Sequence, residues 1–197
     1  MLYNKKYHSI LFLILLINTA SAGIKENIIK NLKNTNNISF NFEQNVNGKV
    51  ENGKCIIEYP KKIYCNYNLS NEKILVSNGK TLVIKTKTSF YLYPIEKTQL
   101  NLILDKDYLL KKIENLSERY VDDKFVNYTF IEKDNEINVF FDKINYNLIG
   151  WQTLDIYQNL NITFLSLIQN YQNLNITYQT LKKKNQESDK DLFNLPK

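Results

Sequence analysis

Few side chains in this sequence could carry out chemistry, and most catalytic schemes lack one of their members. The single histidine, His8, lies near the start of the chain, just before an apolar run. With no histidine further along, a Ser-His-Asp or Cys-His nucleophilic site cannot form, and the commonest metal ligand is missing. Two cysteines alone cannot complete a structural zinc site. The sequence has neither a glycine-rich phosphate loop nor a nucleophile elbow.

Two carboxylate pairs remain as candidates for acid–base chemistry. Asp105 with Asp107 and Asp122 with Asp123 each lie among residues typical of turns. We expect them to be solvated surface acids, with a carboxylate-only enzyme as the alternative. The sequence therefore predicts a protein that is not an enzyme and that uses no metal and no cofactor.

The N-terminal 22 residues have the features of a secretory signal peptide. Two lysines precede the uninterrupted apolar run at residues 10–17, and Ala20-Ser21-Ala22 supplies a cleavage pattern before Gly23. The apolar run is shorter than the ~20 residues that span a bilayer, which makes a membrane anchor the weaker alternative. We expect cleavage after Ala22 and one exported domain over residues 23–197. The formal net charge is +6, but the basic residues do not form a strong cluster in the sequence. Nucleic acid is therefore not an expected partner.

Cys55 and Cys65 lie on either side of a turn that begins at Pro60. The flanking residues are rich in isoleucine and tyrosine, which favours two paired strands. If the hairpin is centred near Pro60 or Lys61, both cysteines point to the same face of the sheet. In an oxidising compartment this predicts a disulfide. Two buried free thiols are the alternative, and the spacing disfavours a redox-active pair.

The alternation of apolar and polar residues predicts a mostly β domain. Residues 24–34 have the periodicity of an amphipathic helix, and residues 38–46 alternate for the length of a strand. Asn47-Gly48 and Asn78-Gly79 are hairpin signals. One or two helices are predicted within residues 100–116. Further strands are predicted on both sides of Pro60 and at residues 72–77, 80–86, 89–93, 125–132, 137–142, 148–157 and 160–168.

So many consecutive antiparallel strands must bury one face of their sheet. The sheet can do this by curling around the helices as an open barrel, which encloses an apolar cavity where its inner face is not packed solid. The alternating strands predict cavity-lining residues at Phe40, Phe42, Ile57, Ile63, Ile74, Val76, Leu82, Ile84 and Leu92. The middle helices predict lid residues at Leu109, Leu110 and Ile113. For each residue taken alone, ordinary core packing is the alternative.

Several short motifs follow one another along the chain and resemble a known family in the same order. They are Phe42-Glu43-Gln44, the 53–67 hairpin with its Tyr59-Pro60 turn, ILVSNGKTL at 74–82, Tyr108-Leu109-Leu110, Gly150-Trp151 with Asp155 and Ile162-Thr163, and Phe193 with Pro196. The family is that of the periplasmic outer membrane lipoprotein carriers, the LolA family.

This resemblance implies an open antiparallel β-barrel with an N-terminal helix and a helical lid. It implies a periplasmic monomer whose cavity accepts the acyl chains of lipoproteins released from the inner membrane by an ABC-type transporter. Delivery would be to an outer-membrane receptor or directly to the outer membrane. The alternatives are a same-fold protein that binds another lipid, a non-catalytic envelope sensor, and a structural protein with a fully packed sheet.

The sequence departs from the family pattern at two places. The family often has an arginine immediately before the hairpin proline, where it is implicated in one-way handover of cargo. Here that position is Tyr59, so Lys61 or Lys62 would have to replace the arginine. The two cysteines are also not a general feature of the family.

Overall fold

The computed structural model describes residues 23–69, 71–154 and 160–167. Its helices are α1 (Ile24–Asn34), α2 (Leu100–Leu104) and α3 (Lys106–Asn115), with a 3₁₀ turn at Ile95–Lys97. The predicted signal peptide at residues 1–22 and the motif at Phe193 and Pro196 lie outside the described residues.

Among the described residues, eleven antiparallel strands form one sheet, and they appear in the chain as two runs separated by the middle helices. The strands are β1 (Asn37–Val46), β2 (Lys49–Glu58), β3 (Lys62–Tyr67), β4 (Ile74–Asn78), β5 (Thr81–Lys85), β6 (Phe90–Pro94), β7 (Arg119–Val121), β8 (Phe125–Glu132), β9 (Asn135–Asp142), β10 (Leu148–Leu154) and β11 (Leu160–Leu167).

The order of the strands across the sheet is β6-β5-β4-β3-β2-β1-β11-β10-β9-β8-β7. Each run is a meander of sequential neighbours, and the pairing of β1 with β11 joins the two runs. In the part of the chain that the structure describes, β6 and β7 are the edge strands and do not pair with each other, so this sheet does not close on itself. The prediction of an open antiparallel barrel is thus confirmed.

The hairpin turns form where the sequence supplies residues that tolerate positive φ. Asn47 and Gly48 connect β1 to β2 with φ values of 50° and 87°, as a primed two-residue turn requires. The Asn45 side chain reinforces this turn by accepting a 2.8 Å hydrogen bond from the Gly48 N–H. At the β4–β5 turn, Gly79 has a φ of 95°. Both hairpin signals of the sequence are therefore confirmed.

The helices pack against the inner face of the sheet. In α1, Ile28 and Leu32 are buried, as the amphipathic pattern predicts. The Lys25 ammonium donates to the Leu116 carbonyl at 2.6 Å, which ties α1 to the end of α3. Asp105 separates α2 from α3 and caps α3 by accepting a 3.1 Å hydrogen bond from the Tyr108 N–H. Within the described residues, no helix has the length and apolar character needed to cross a membrane.

Candidate ligand cavity

A cavity of about 240 Å³ lies between the inner face of the sheet and the start of α2. Strands from both meanders contribute to its walls, so the cavity spans the β1–β11 junction. Its lining residues are Phe40, Phe42, Gln44, Cys55, Ile63, Cys65, Tyr67, Leu75, Leu82, Ile84, Tyr93, Thr98, Gln99, Leu100, Trp151, Thr153, Leu154, Asn161 and Thr163.

Aromatic rings build two of the cavity walls. The Phe42 and Tyr67 rings meet edge to face with centroids 4.8 Å apart, and Phe40 meets Trp151 in the same manner at 6.3 Å. The register places Gly53 of β2 between Phe42 of β1 and Tyr67 of β3. Because Gly53 has no side chain, the two rings approach each other across it.

A disulfide forms part of the apolar wall. Cys55 of β2 and Cys65 of β3 lie directly opposite each other and are bonded. Both residues line the cavity and are nearly inaccessible to solvent. The same-face prediction made from the hairpin geometry therefore agrees with the structure, and the alternative of two free thiols does not.

A short hydrogen-bonded chain of neutral polar side chains forms one end of the cavity. The Tyr67 hydroxyl donates to Oε1 of Gln44 at 3.1 Å. Nε2 of Gln44 then donates to Oδ1 of Asn161 at 2.8 Å, across the β1–β11 junction. Oγ1 of Thr163 donates to the same Asn161 oxygen at 3.4 Å. These bonds fix the Gln44 and Asn161 amides relative to the aromatic wall.

A buried ion pair lies next to this polar end, beside the cavity lining. Glu51, opposite Gln44 in the register, accepts a short hydrogen bond from Lys73 and forms a 2.9 Å ion pair with Lys49. Burial raises the pKa of the Glu51 carboxyl, but the hydrogen bonds and charges of the two lysines outweigh it and hold that pKa below its ordinary value. The Lys73 ammonium also lies 4.1 Å from the centroid of the Tyr67 ring. Burial, and then the Glu51 charge, raises the pKa of the Tyr67 hydroxyl.

Five of the residues predicted to line the cavity do so. They are Phe40, Phe42, Ile63, Leu82 and Ile84. Ile57 lies on the same face but is fully buried in the core beyond the cavity wall. For Ile57, the alternative of ordinary core packing is therefore the observed one.

Three predicted lining residues lie on the opposite face, and their prediction is wrong. Because β4 pairs with β5 through Ser77 and Leu82, residues of opposite parity share a face in these two strands. The inward residue of β4 is then Leu75, while Ile74 and Val76 point outward. In β6, Tyr93 pairs with Leu82 and lines the cavity. Leu92 points outward and is 54% exposed.

The predicted lid residues belong to the core. Leu109, Leu110 and Ile113 are buried in the cluster that joins α3 to the sheet, and they do not contact the cavity. The cavity is bordered instead by Leu100 at the start of α2 and by the Thr98-Gln99 segment before it. The helical cover exists, but its contact with the cavity lies one helix earlier than predicted.

The three transfer candidates occupy the turn between β2 and β3 and have different partners. The Lys61 ammonium lies 3.0 Å from a carboxylate oxygen of Asp105, and the Lys61 N–H donates to the Leu104 carbonyl at 2.9 Å. Lys62 forms a 2.8 Å ion pair with Glu58 within the hairpin. Tyr59 packs against the core. Lys61 therefore links the turn to the helices by an ion pair and a backbone hydrogen bond, and the centroid of the Tyr59 ring lies 5.8 Å from the Lys106 ammonium of α3.

The carboxylate pairs do not converge on a site. Asp105 caps α3 and pairs with Lys61, while Asp122 and Asp123 occupy the turn between β7 and β8 with φ values of 51° and 54°. Across residues 23–69, 71–154 and 160–167, no group of three or more His, Cys, Asp or Glu side chains could hold a metal ion.

Sequence reasoning missed the polar end and the far wall of the cavity. Gln44 continues the alternation of Phe40 and Phe42, so the parity of β1 could have identified it. Trp151 and Asn161 lie on strands that reach β1 only through the β1–β11 pairing, which no local pattern indicates.

Comparison with known proteins finds a matching family model and several distant structural neighbours. The sequence model of the family described as outer membrane lipoprotein carrier protein LolA matches residues 33–180. No curated protein sequence matches the chain. A LolA superfamily protein from Nitrosomonas europaea is a structural neighbour with 6% identity and a TM-score of 0.37, covering 78% of this chain and 97% of its own.

Two further solved structures are similarly distant. The lipoprotein LppX from Mycobacterium tuberculosis has 12% identity and a TM-score of 0.41, covering 74% of this chain and 94% of its own. The MucA/MucB complex from Pseudomonas aeruginosa has 13% identity and a TM-score of 0.33, covering 73% of this chain and 56% of its own. Likenesses this distant carry no information about function.

Proposed function

Because the chain belongs to the family of outer membrane lipoprotein carrier proteins LolA, we propose that it binds the acyl chains of lipoproteins in its cavity and carries them through the periplasm. The observation that supports this proposal is a cavity with aromatic and aliphatic walls at the inner face of an open barrel. An acyl chain needs such a site because each CH₂ group moved out of water contributes about 0.8 kcal/mol.

The size of the cavity fits a carrier that holds its cargo only in part. Its volume of about 240 Å³ is below the roughly 300–1,000 Å³ of typical small-molecule pockets. Several acyl chains would require the Thr98–Leu100 segment to move away from the sheet. Because such a cavity covers the acyl chains only in part, the carrier binds them less favourably than the bilayer does. Release at a membrane therefore remains favourable.

The proposed partners act before and after the carrier. An inner-membrane ABC-type transporter would supply the lipoprotein, and an outer-membrane receptor or the membrane itself would accept it. Among the three transfer candidates, Lys61 is favoured because its ion pair with Asp105 and its backbone bond to Leu104 connect the β2–β3 turn to the helices. We expect the carrier to act as a monomer.

We also propose that the protein has no catalytic role. Asp105 is engaged in capping and ion pairing, and Asp122 and Asp123 lie in a solvated turn. Replacing Asp107, Asp122 and Asp123 together by asparagine should therefore leave lipoprotein delivery largely intact, while Asp105 is kept because it pairs with Lys61. Loss of delivery by a variant that is exported and folded would contradict this proposal.

Crosslinking in cells tests the carrier function directly. Phe42 lines the cavity, and its neighbour Asn41 is exposed on the other face of β1. A photo-crosslinking phenylalanine analogue at position 42 should capture lipoproteins, while the same analogue at position 41 should not. Both variants are checked for export and thermal unfolding.

Three other results would each reject the proposal in a different way. Capture of a lipid without protein would favour a carrier of another lipid. Capture of a non-lipidated protein would favour an envelope sensor. Absence of any capture at position 42 in a folded, exported variant would leave only the fold.

A further inference from the structure

The cavity offers its ligand polar groups but no charge. None of the described residues that line it is acidic or basic. Its polar side chains are amides and hydroxyls, supplied by Gln44, Gln99, Asn161, the three threonines at positions 98, 153 and 163, and Tyr67 and Tyr93. A ligand with an ionised head would find no opposite charge here, and burying an unpaired charge is strongly unfavourable.

Gln44 and Asn161 both line the cavity, and their amide oxygens are engaged within the protein. The Oδ1 atom of Asn161 already accepts from Gln44 and from Thr163, and Oε1 of Gln44 accepts from Tyr67. The hydrogen bonds of the described residues therefore use the oxygens of both amides. Among the hydrogen bonds between residues 23–69, 71–154 and 160–167, none uses the N–H groups of Asn161 or the second N–H of Gln44, and these groups can donate to a ligand.

A lysine beside the polar end of the cavity is committed to an acid. Lys73 lies over the Tyr67 ring, but its ammonium is hydrogen-bonded to the buried Glu51 carboxylate. Lys49 adds a second positive charge on the same carboxylate. Pulling Lys73 toward an anionic ligand would leave Glu51 with fewer partners at a buried position.

We propose that Gln44 and Asn161 recognise the ester or amide carbonyl that joins an acyl chain to its carrier group. This proposal rests on the carrier function above and specifies the chemistry of the cargo. An ester or amide carbonyl accepts hydrogen bonds and has no charge, so it matches the two donor amides. A free fatty acid places a carboxylate at the same position, and the cavity discriminates against it.

Competition binding tests this selectivity on the exported chain. An environment-sensitive apolar dye is loaded into the cavity and displaced by 1-dodecanoylglycerol or by dodecanoate at pH 8. We expect the neutral glyceride to bind at least about tenfold more tightly, because the carboxylate must be buried without a cation or protonated first. As the pH falls toward about 5, dodecanoate should gain affinity because its neutral acid becomes available. The affinity of the glyceride should not change with pH.

Variants of the two amides test which residues carry the preference. Gln44→Leu or Asn161→Leu should lower the affinity for the glyceride about 5-fold for each hydrogen bond lost, and the affinity for dodecanoate by much less. Asn161→Asp keeps the side-chain size, replaces the N–H donors with carboxylate oxygens, and should weaken the glyceride further. Asn41→Leu, on the outer face of β1, is the matched control and should change neither affinity. Thermal unfolding verifies that each variant is folded.

The possible outcomes separate this proposal from the carrier function. If the dye binds and both ligands displace it equally at pH 8, neutral recognition is wrong and the carrier function stands. If the amide variants keep the full preference for the glyceride, Gln44 and Asn161 are not its source and the proposal is overturned. If neither the dye nor the glyceride binds to the folded protein, the carrier function itself fails.

Discussion

Replacing Gly53 with alanine should disrupt the aromatic wall of the cavity. A Cβ atom at this position would overlap the Asn66 carbonyl oxygen and lie 2.8 Å from Cε1 of Phe42 and 2.9 Å from Cα of Tyr67. Two of these three atoms belong to the backbone of β3, so side-chain rotation alone cannot relieve the overlap. Overpacking of this kind costs about 1–3 kcal/mol, and the backbone contacts favour the upper end. For a domain of this size, about 3 kcal/mol lowers Tm by about 6–12 °C.

Gly48→Ala is the matched control because it is strained for a different reason. Gly48 has a φ of +87° and no atom within 4 Å of an added Cβ, so alanine there costs about 1–2 kcal/mol through backbone conformation alone. Thermal unfolding and binding of an apolar dye are measured for both variants. We expect both to lose stability, and only Gly53→Ala to lose dye affinity, since Phe42 and Tyr67 must separate. Unchanged stability and dye binding in Gly53→Ala would refute the packing argument.

Three further predictions concern the disulfide, the turn and the buried acid. Reducing the Cys55–Cys65 bond, which spans 10 residues, should lower the free energy of unfolding by about 2.7 kcal/mol, because the unfolded chain regains the entropy of an open loop. Urea denaturation with and without reductant measures this loss. A Cys55→Ser/Cys65→Ser variant is the control and should not respond to reductant. Lys61→Met should speed dye release about 2- to 5-fold, because the partly exposed ion pair between Lys61 and Asp105 contributes up to about 1 kcal/mol. Stopped-flow fluorescence measures the release rate, and Lys62→Met should release the dye at the wild-type rate. Because the folded-state pKa of Glu51 lies below its ordinary 4.5, its stabilising contribution is present above that pH and is lost as the pH falls through the folded value. The free energy of unfolding of Glu51→Gln should therefore fall less steeply with pH in that range than that of the wild-type protein. If the two proteins lose stability in parallel as the pH falls, Glu51 is not the source of the pH dependence.

The sequence predicts the faces of β1 correctly because that strand alternates cleanly. Phe40 and Phe42 point inward and Asn41 points outward, and the polar outer residues leave only one face that the core can bury. The Asn47-Gly48 turn then sets the register with β2, so Cys55 and Ile57 follow on the same face. Here composition, turn chemistry and burial all indicate the same arrangement.

In β4 to β6 the same reasoning fails because the strands are apolar on both sides. Residues 74–76 and 82–84 are uninterrupted aliphatic runs, from which no periodicity can identify the inner face. The register decides instead, and the pairing of Ser77 with Leu82 reverses the parity between the two strands. The sequence-based prediction placed the even-numbered residues of β4, β5 and β6 on one face. It therefore put Ile74 and Val76 on the wrong face.

The seam between the two meanders has a consequence for the order of folding. Each meander can form from neighbouring strands, whereas Gln44 and Asn161, which meet across the seam, are 117 residues apart in the chain. Contacts so distant in sequence carry a large loop-closure cost and form after the local hairpins. Phe40 and Phe42 come from one side of this seam, and Trp151 from the other. A chain that is made N-terminus first therefore has no complete cavity until β11 has emerged and paired with β1.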